Sequence, residues 1–428
     1  MTPEIKKIIK AVQAGRVPAG YKKSKVGIVP KDWDVCQLSN YLVINNEKNV
    51  NDLYTIHDVF SVSGEYGIVN QIEFMGRSYA GESLSGYRVV YPNDIVYTKS
   101  PLKSNPYGIV KANRTERSGI VSVLYSIYHC KENVVPYYVE LYFALDVNLN
   151  NYLRPLVHIG PKHNMLISDA HVLDGLIPFP PIGEQKKIAE ILATQDRVIE
   201  LKEKMIAEKQ SQKKYLMQTY LMKKKHSPLF QKKWKRIYLS EILKERRECN
   251  EFENLRICSV AVNNGVVDQK EYLGKSMAAE NTSNYAVVHY GDIVYTKSPT
   301  GAFPYGIIKQ SQLKEDVAVS PLYGVYEPYC YEIGYLLQVY FSYANNANNY
   351  LKPIVNKGAK NTILISNQTF LKPSLYLPID IEEIKYLYKI FKSADEEISL
   401  LQKDLEQEKL KKKSLMQLLL TGLVRVNE

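Results

Sequence analysis

The spacing of apolar and polar positions changes texture along the chain and divides it into five segments. After a short helical stretch, 1–20, residues 21–180 carry brief β-rich runs such as YRVVYPNDIVYT, broken by Gly and Pro, which predict strands joined by turns. Within that segment PYYVELYFALDVNLNNYL has helical spacing. From Pro180-Pro181 the pattern becomes helical, with no Gly after Gly183 and no Pro before Pro228, which predicts a long helix within 181–226. The mixed texture returns over 227–377, and 378–428 is helical again with a short tail. Asp380 with Glu383 has capping-box spacing, and Gly422 suits a helix C-cap.

The mixed segments are copies of one another. NDIVYTKSP at Asn93–Pro101 returns as GDIVYTKSP at Gly291–Pro299, PYGIVK at Pro106–Lys111 as PYGIIK at Pro304–Lys309, and NNYLRP at Asn150–Pro155 as NNYLKP at Asn348–Pro353. All three pairs lie 198 residues apart, and that offset holds from about Val59 to Ser168. The helical stretches also match, Asp196 with Asp395 and Leu216-Met217-Gln218 with Leu415-Met416-Gln417, at an offset of 199. The second stretch has a 3-4 apolar seam through Ile384, Leu387, Phe391, Ile398, Leu401 and Leu405, assigned to pairing with Ile188, Leu192, Ile199 and Ile206 of the first. A second row on the first helix, Ile191, Val198, Leu201 and Met205, is left for a partner protein. Two solvated linker helices would not need heptad regularity. The expected fold class is α/β (α+β): two homologous mixed domains separated by two long antiparallel coiled-coil helices of roughly 60 Å, with a pseudo-twofold internal repeat.

Charge adds a partner class. The net charge of +11 attracts polyanions, nucleic acid foremost. Tyrosine outnumbers phenylalanine 34 to 10, which suits a wet groove surface or a core whose rings carry hydroxyls. Cys36, Cys130, Cys249, Cys258 and Cys330 are odd in number and never spaced C-x-x-C, so they read as reduced thiols rather than a disulfide frame or zinc site. No apolar run approaches a bilayer span and no signal core opens the sequence, so the expected location is cytoplasmic, without membrane contact.

No catalytic constellation stands out. Asn105-Pro106-Tyr107 is one proline short of the Asn-Pro-Pro-Tyr loop that holds a flipped adenine, and no glycine-rich cofactor loop precedes it. Gly274-Lys275-Ser276 lacks the upstream glycine of a P-loop, since Gln269 stands there. Candidate DNA contacts are polar residues at turns. Lys99, Ser100, Lys297 and Ser298 end a predicted strand, where a lysine and hydroxyls can meet phosphate or base edges, while Tyr97 and Tyr295 are expected to pack inside. Lys162, Asn164, Lys360 and Asn361 lie in equivalent loops, and Arg77, Ser78 and Lys275 follow a repeated glycine. Gln71, Lys103, Asn105 and Asn263-Asn264 are taken to differ between the copies and so to suit base reading; Lys223-Lys224-Lys225 reads as a solvated helix end. Each candidate also has a plain structural reading, closing a turn or solvating a loop.

PPIGEQKKIAEIL with D-x-x-I-E and a helix ending KKYLMQ resembles the conserved helix of the DNA specificity subunits of type I restriction-modification systems. KGAKNTILIS at Lys357–Ser366 and GYKKSKVGIVPKDWDVCQLS at Gly20–Ser39 resemble the same family, in its order of target-recognition domain, helix, domain, helix. The second helix departs from it, with Glu382-Glu383-Ile384-Lys385 in place of the E-Q-K-K-I core. The resemblance implies a non-catalytic subunit that reads a split, asymmetric double-stranded DNA target. It implies docking of two methyltransferase subunits along the helices, joined by motor-nuclease subunits. S-adenosylmethionine, ATP and Mg are then expected in those partners and none in this chain. The rival readings are a DNA-binding adaptor of another phage-defence complex, an enzyme in its own right, and a coiled-coil scaffold; the last leaves the duplicated domains and the basic charge without a purpose.

Overall fold

The computed structural model of the chain describes residues 2–50, 52–99, 105–159, 165–222, 230, 234–275, 277–357 and 363–426. It divides into two compact units, Met1–Lys202 with Asp404–Glu428, and Glu203–Lys403.

In the first unit Thr2 caps the helix Pro3–Gln13, which buries none of its residues. The central sheet has four antiparallel strands in the spatial order Leu42–Asn45, Tyr125–Cys130, Ile95–Thr98, Ile109–Ala112. Its middle strand Ile95–Thr98 is buried along its whole length, as its IVYT sequence demands. Helices Pro136–Phe143 and Asp146–Leu153 cover one face. The hairpin Phe60–Ser63/Gly67–Asn70 and the pair Arg88–Val90/Gly119–Val121 stand beside the sheet, joined by one parallel bridge between Val59 and Ile120.

The second unit repeats this plan. Its sheet runs Leu243–Glu245, Gly324–Pro328, Ile293–Tyr295, Ile308–Gln310, covered by helices Tyr331–Phe341 and Ala344–Leu351. The bridge of the first unit has grown here into a parallel pairing of Arg256–Ala261 with Val317–Val319, so the accessory strands form one four-stranded sheet. Two mixed α/β units with the same element order were the expected fold.

Tyrosine hydroxyls brace both cores. Tyr97 donates to the Tyr107 carbonyl at 2.7 Å and Tyr295 to that of Tyr305 at 2.8 Å. Tyr152 donates to Val172 O and Tyr350 to Phe370 O, each at 2.6 Å. Each ring is buried and its one polar atom satisfied by backbone, the condition for placing tyrosine in a core. The repeated Pro-Tyr-Gly is explained by the same corner. Gly108 and Gly306 have φ of 93° and 97°, and a Cβ on either would lie 1.9 Å from the carbonyl oxygen of Thr98 or Thr296. The motif is a structural turn, unrelated to base capture.

The long helices are Ile182–Met217 and Ile381–Leu419. Within the first unit Gln195 donates to Glu408 at 2.7 Å, Lys202 pairs with Asp404, and Lys412 with Asp196. Within the second, Lys209 pairs with Glu397 at 2.7 Å and Lys213 with Asp395. Rising numbers on one helix meet falling numbers on the other, so the segments paired in each unit are antiparallel. Such pairs at the surface mainly fix direction and register. The apolar contacts divide differently from a simple seam. Ile188 and Leu192 join the first core with Met416 and Leu419, and Ile384, Leu387 and Phe391 join the second with Met217. Ile206 and Ile398 are buried, whereas Ile199, Leu401 and Leu405 are half-buried.

Each helix start is anchored by a tryptophan. Trp33 Nε1 donates to Glu184 at 2.8 Å and Trp234 Nε1 to Glu383 at 3.0 Å, all four residues buried. Glu383 therefore turns inward and does not close the capping box its spacing suggests, although Asp380 accepts from Glu382 N at 3.1 Å. Arg425 adds two bonds to Glu184, at 2.8 and 2.9 Å, and pairs with Asp32. Gly422 takes φ of 67° just beyond the second helix, and its carbonyl accepts from Tyr21 at 2.8 Å.

Candidate nucleic-acid interface

In the first unit the strand Ile95–Thr98 ends at Lys99, whose ammonium donates to Asp169 at 3.0 Å. Asp169 opens the short helix Asp169–Val172, capped by Ser168, which follows the two-residue strands His158–Ile159 and Met165–Leu166. The same carboxylate accepts from Ser126 at 2.6 Å and pairs with Arg88. Burial works against its charge, but the bonds from Ser126, Arg88 and Lys99 outweigh this and hold its carboxyl below the ordinary range. Tyr128 fixes the spot from below, its hydroxyl on Asp169 O at 3.0 Å. Lys99 thus ties the end of a core strand to the exit of a surface hairpin.

The second unit builds the same tie from different residues. Lys297 donates to Asn367 at 2.9 Å, Asn367 follows the cap Ser366, and Tyr326 reaches Asn367 O at 3.2 Å. Asn367 in turn donates to Glu245 at 2.9 Å. The positions of Arg88 and Ser126 are held by Ala286 and Gly324. Burial pulls the proton affinity of Lys297 down, and Glu245 counteracts it in part. The two lysines are half-buried, and Ser298 is exposed.

A second pair of loops follows Gly76 and Gly274, both in the left-handed conformation that ends a short helix. Gln71 donates to Ser61 at 2.8 Å and accepts from Ser78 and from Tyr79 N. Gln269 donates to Ser259 at 2.9 Å and accepts from Met277 N. Gln71 is therefore the counterpart of Gln269 and holds its loop; the expectation that it differs between copies and reads bases is corrected. Arg77, 4.6 Å above the Tyr79 ring, and Lys275 are exposed on these loops. Asn105 is buried and donates to Asp146 at 2.8 Å, at the position of the buried Phe303, so the divergence there is one of packing. Ser100, Lys103, Lys162, Asn164, Lys223-Lys224-Lys225, Ser276, Lys360 and Asn361 lie outside the described residues.

On the first long helix Leu201 and Met205 are 47% and 46% exposed and Val198 is half-buried, while Ile191 packs against the core of the first unit. Ile191 is thus occupied within its own unit, because the first turns of the helix lie on the core. Arg88, Ser126, Asp169, Asn367 and Glu245 were not singled out from sequence. Asp169 and Asn367 directly follow the repeated Ile-Ser pair, and that was the available signal.

No family model matches the chain. It is 23% identical, over 95% of its length and 97% of the relative's, to a protein assigned as the type I restriction enzyme MjaX specificity subunit of Methanocaldococcus jannaschii. Over nearly its whole length the chain is thus similar to a type I restriction specificity subunit. Its fold matches that of the type I restriction-modification S subunit from M. genitalium with a TM-score of 0.53 at 13% identity, covering 92% of this chain and 96% of that one. A chain solved in work on complex assembly and conformational transition of the type I R-M system gives 0.52 at 14% identity, covering 92% and 99%. This chain likewise has two mixed α/β units and two long helices. Among the described residues no helix is long and apolar enough to cross a membrane.

Proposed function

We propose that the chain is the non-catalytic DNA-reading subunit of a cytoplasmic type I restriction-modification complex, and that each unit reads one half of a split, asymmetric duplex target. One observation carries this: the lysine tie recurs on the same scaffold in both units while the residues around it differ, as reading two different half-sites requires. The exposed loops at Arg77 and Lys275 supply phosphate contacts, and base reading falls to the loops they flank. Leu201 and Met205 dock a methyltransferase subunit, with two such subunits and motor-nuclease subunits completing the assembly. S-adenosylmethionine, ATP and Mg serve those partners. The test replaces 45–168 with the equivalent region of a relative and maps methylated adenines genome-wide by long-read sequencing. One half of the motif should change and the other persist; a change in both halves, or in neither, removes the proposal.

A further inference from the structure

The second unit contains a cleft of about 450 Å³ beside the turn at Asn263-Asn264, walled by the strand Ile308–Gln310, the helix Tyr331–Phe341 and part of the second long helix. Lys309, Lys213 and Lys392 line it. Lys213 is paired with Asp395, which also accepts from Tyr335 at 2.6 Å, and Lys392 lies 3.6 Å from Glu396. Among the described residues no carboxylate lies within ion-pair distance of Lys309. Burial lowers its proton affinity and the neighbouring Lys213 lowers it further, with Asp395 only partly opposing them.

The first unit shows what is missing. There the equivalent Lys111 pairs with Glu140 at 3.4 Å, and the same carboxylate accepts from Ala112 N. At the position of Glu140 the second unit has Gln338, which keeps the backbone contact, accepting from Gln310 N at 2.8 Å, but carries no charge. An amide thus stands where the first unit has a carboxylate, so the ammonium is uncompensated and the wall carries N–H donors. A half-buried ammonium beside amide donors in an open cleft is what a tetrahedral oxyanion satisfies.

We propose that this cleft binds a phosphate-type oxyanion, with Lys309 as its charged ligand and the uncharged Gln338, in place of the first unit's carboxylate, as the residue that leaves the site open to it. The phosphate comes either from a DNA backbone or from a small phosphate-bearing molecule, and the chemistry is the same for both. Calorimetric titration of the full chain with inorganic phosphate, and separately with a duplex, tests it. Wild type should bind phosphate, and both Lys309→Met and Gln338→Glu should weaken it about tenfold or more, the latter by supplying an internal carboxylate. Glu140→Gln should add a second site in the first unit, which keeps the test decisive should one of the other variants fail to fold. Phosphate competing with duplex, together with weaker duplex binding by Gln338→Glu, would identify a backbone phosphate as the source; unchanged duplex binding would identify a small molecule. Absence of phosphate binding in wild type, or equal affinity in Gln338→Glu, overturns the proposal.

Discussion

The two units keep their backbone and exchange their charges. Tyrosine struts and the glycine corners recur residue for residue, and the lysine of the tie recurs with a different partner. Four equivalent electrostatic spots do not. Asp169 corresponds to Asn367, Glu140 to Gln338, and Tyr91 to His289. The buried Asp94 is partnered by His129 at 2.6 Å, whereas the buried Asp292 is held by Arg246 through two bonds at 2.7 and 3.0 Å. The lesson is a division of labour. Hydroxyl-to-carbonyl bonds and apolar packing specify the scaffold without regard to side-chain charge, so the charged groups are free to diverge.

The largest effect should come from that last pair. Asp94 and Asp292 do the same work, accepting from Tyr91 N and His289 N at 2.9 Å, and burial raises the carboxyl of each. Arg246→Ala removes a two-pronged partner from an aspartate only 2% exposed and should cost about 3 kcal/mol. His129 gives one bond from a ring 45% exposed, so His129→Ala should cost about 1 kcal/mol. Thermal melts separate the two, since about 2–4 °C is expected per kcal/mol in a domain of this size. Equal costs would mean that the aspartates are not equivalent.

Next in size is the lysine tie. Lys99 and Lys297 are committed to Asp169 and Asn367, so their removal should loosen the surface hairpin without releasing a counterion. Lys99→Ala and Lys297→Ala should each weaken DNA binding by the assembled complex about tenfold with an unchanged dependence on salt; a phosphate contact would lower the log–log slope by about one. Asp169→Asn copies the second unit and should bind nearly as wild type. A lowered slope would return both lysines to the role of phosphate contacts that their place at a strand end suggests.

Much of the scaffold is legible in the sequence, because the 198-residue offset and the two glycine-free stretches expose the repeat and the helices. The repeat reads less clearly before Asn49. There Trp33 matches Trp234 and Leu42 matches Leu243 at an offset of 201, three residues of the first copy being extra between Asn49 and Val59. The register slips at a loop, and with it the tryptophan anchors at Glu184 and Glu383. The site is harder to read because its residues meet through tertiary contacts: Lys99 and Asp169 are 70 positions apart, as are Lys297 and Asn367. Polarity and turn position select Asn105 and Gln71, but do not tell that both are consumed in holding the fold.

The smallest expected effect is a pH dependence confined to one unit. In the first, Tyr91 donates to both oxygens of Glu47 at 2.9 Å, and chiefly that bond pushes its phenol up to about 12, so the contact is constant near neutrality. In the second, His289 sits between Glu248 at 2.8 Å and Asp316 at 2.7 Å. Burial and Arg246 oppose its positive charge, but the bonds to Glu248 and Asp316 prevail and its affinity for a proton is raised. A raised histidine contributes its full stabilisation below its ordinary value of about 6.5, and loses it as pH climbs through the folded value. The two acids are more than half exposed, so the contribution is about 0.5 kcal/mol after screening. His289→Tyr gives the second unit the first unit's side chain at this spot. Between about pH 6 and about pH 8, wild type should lose about 0.5 kcal/mol more than this variant in parallel urea titrations, because other titrating groups cancel in the difference. Identical pH dependence in the two proteins would mean that His289 is not charged in this contact, and the divergence at this spot would then carry no electrostatic consequence.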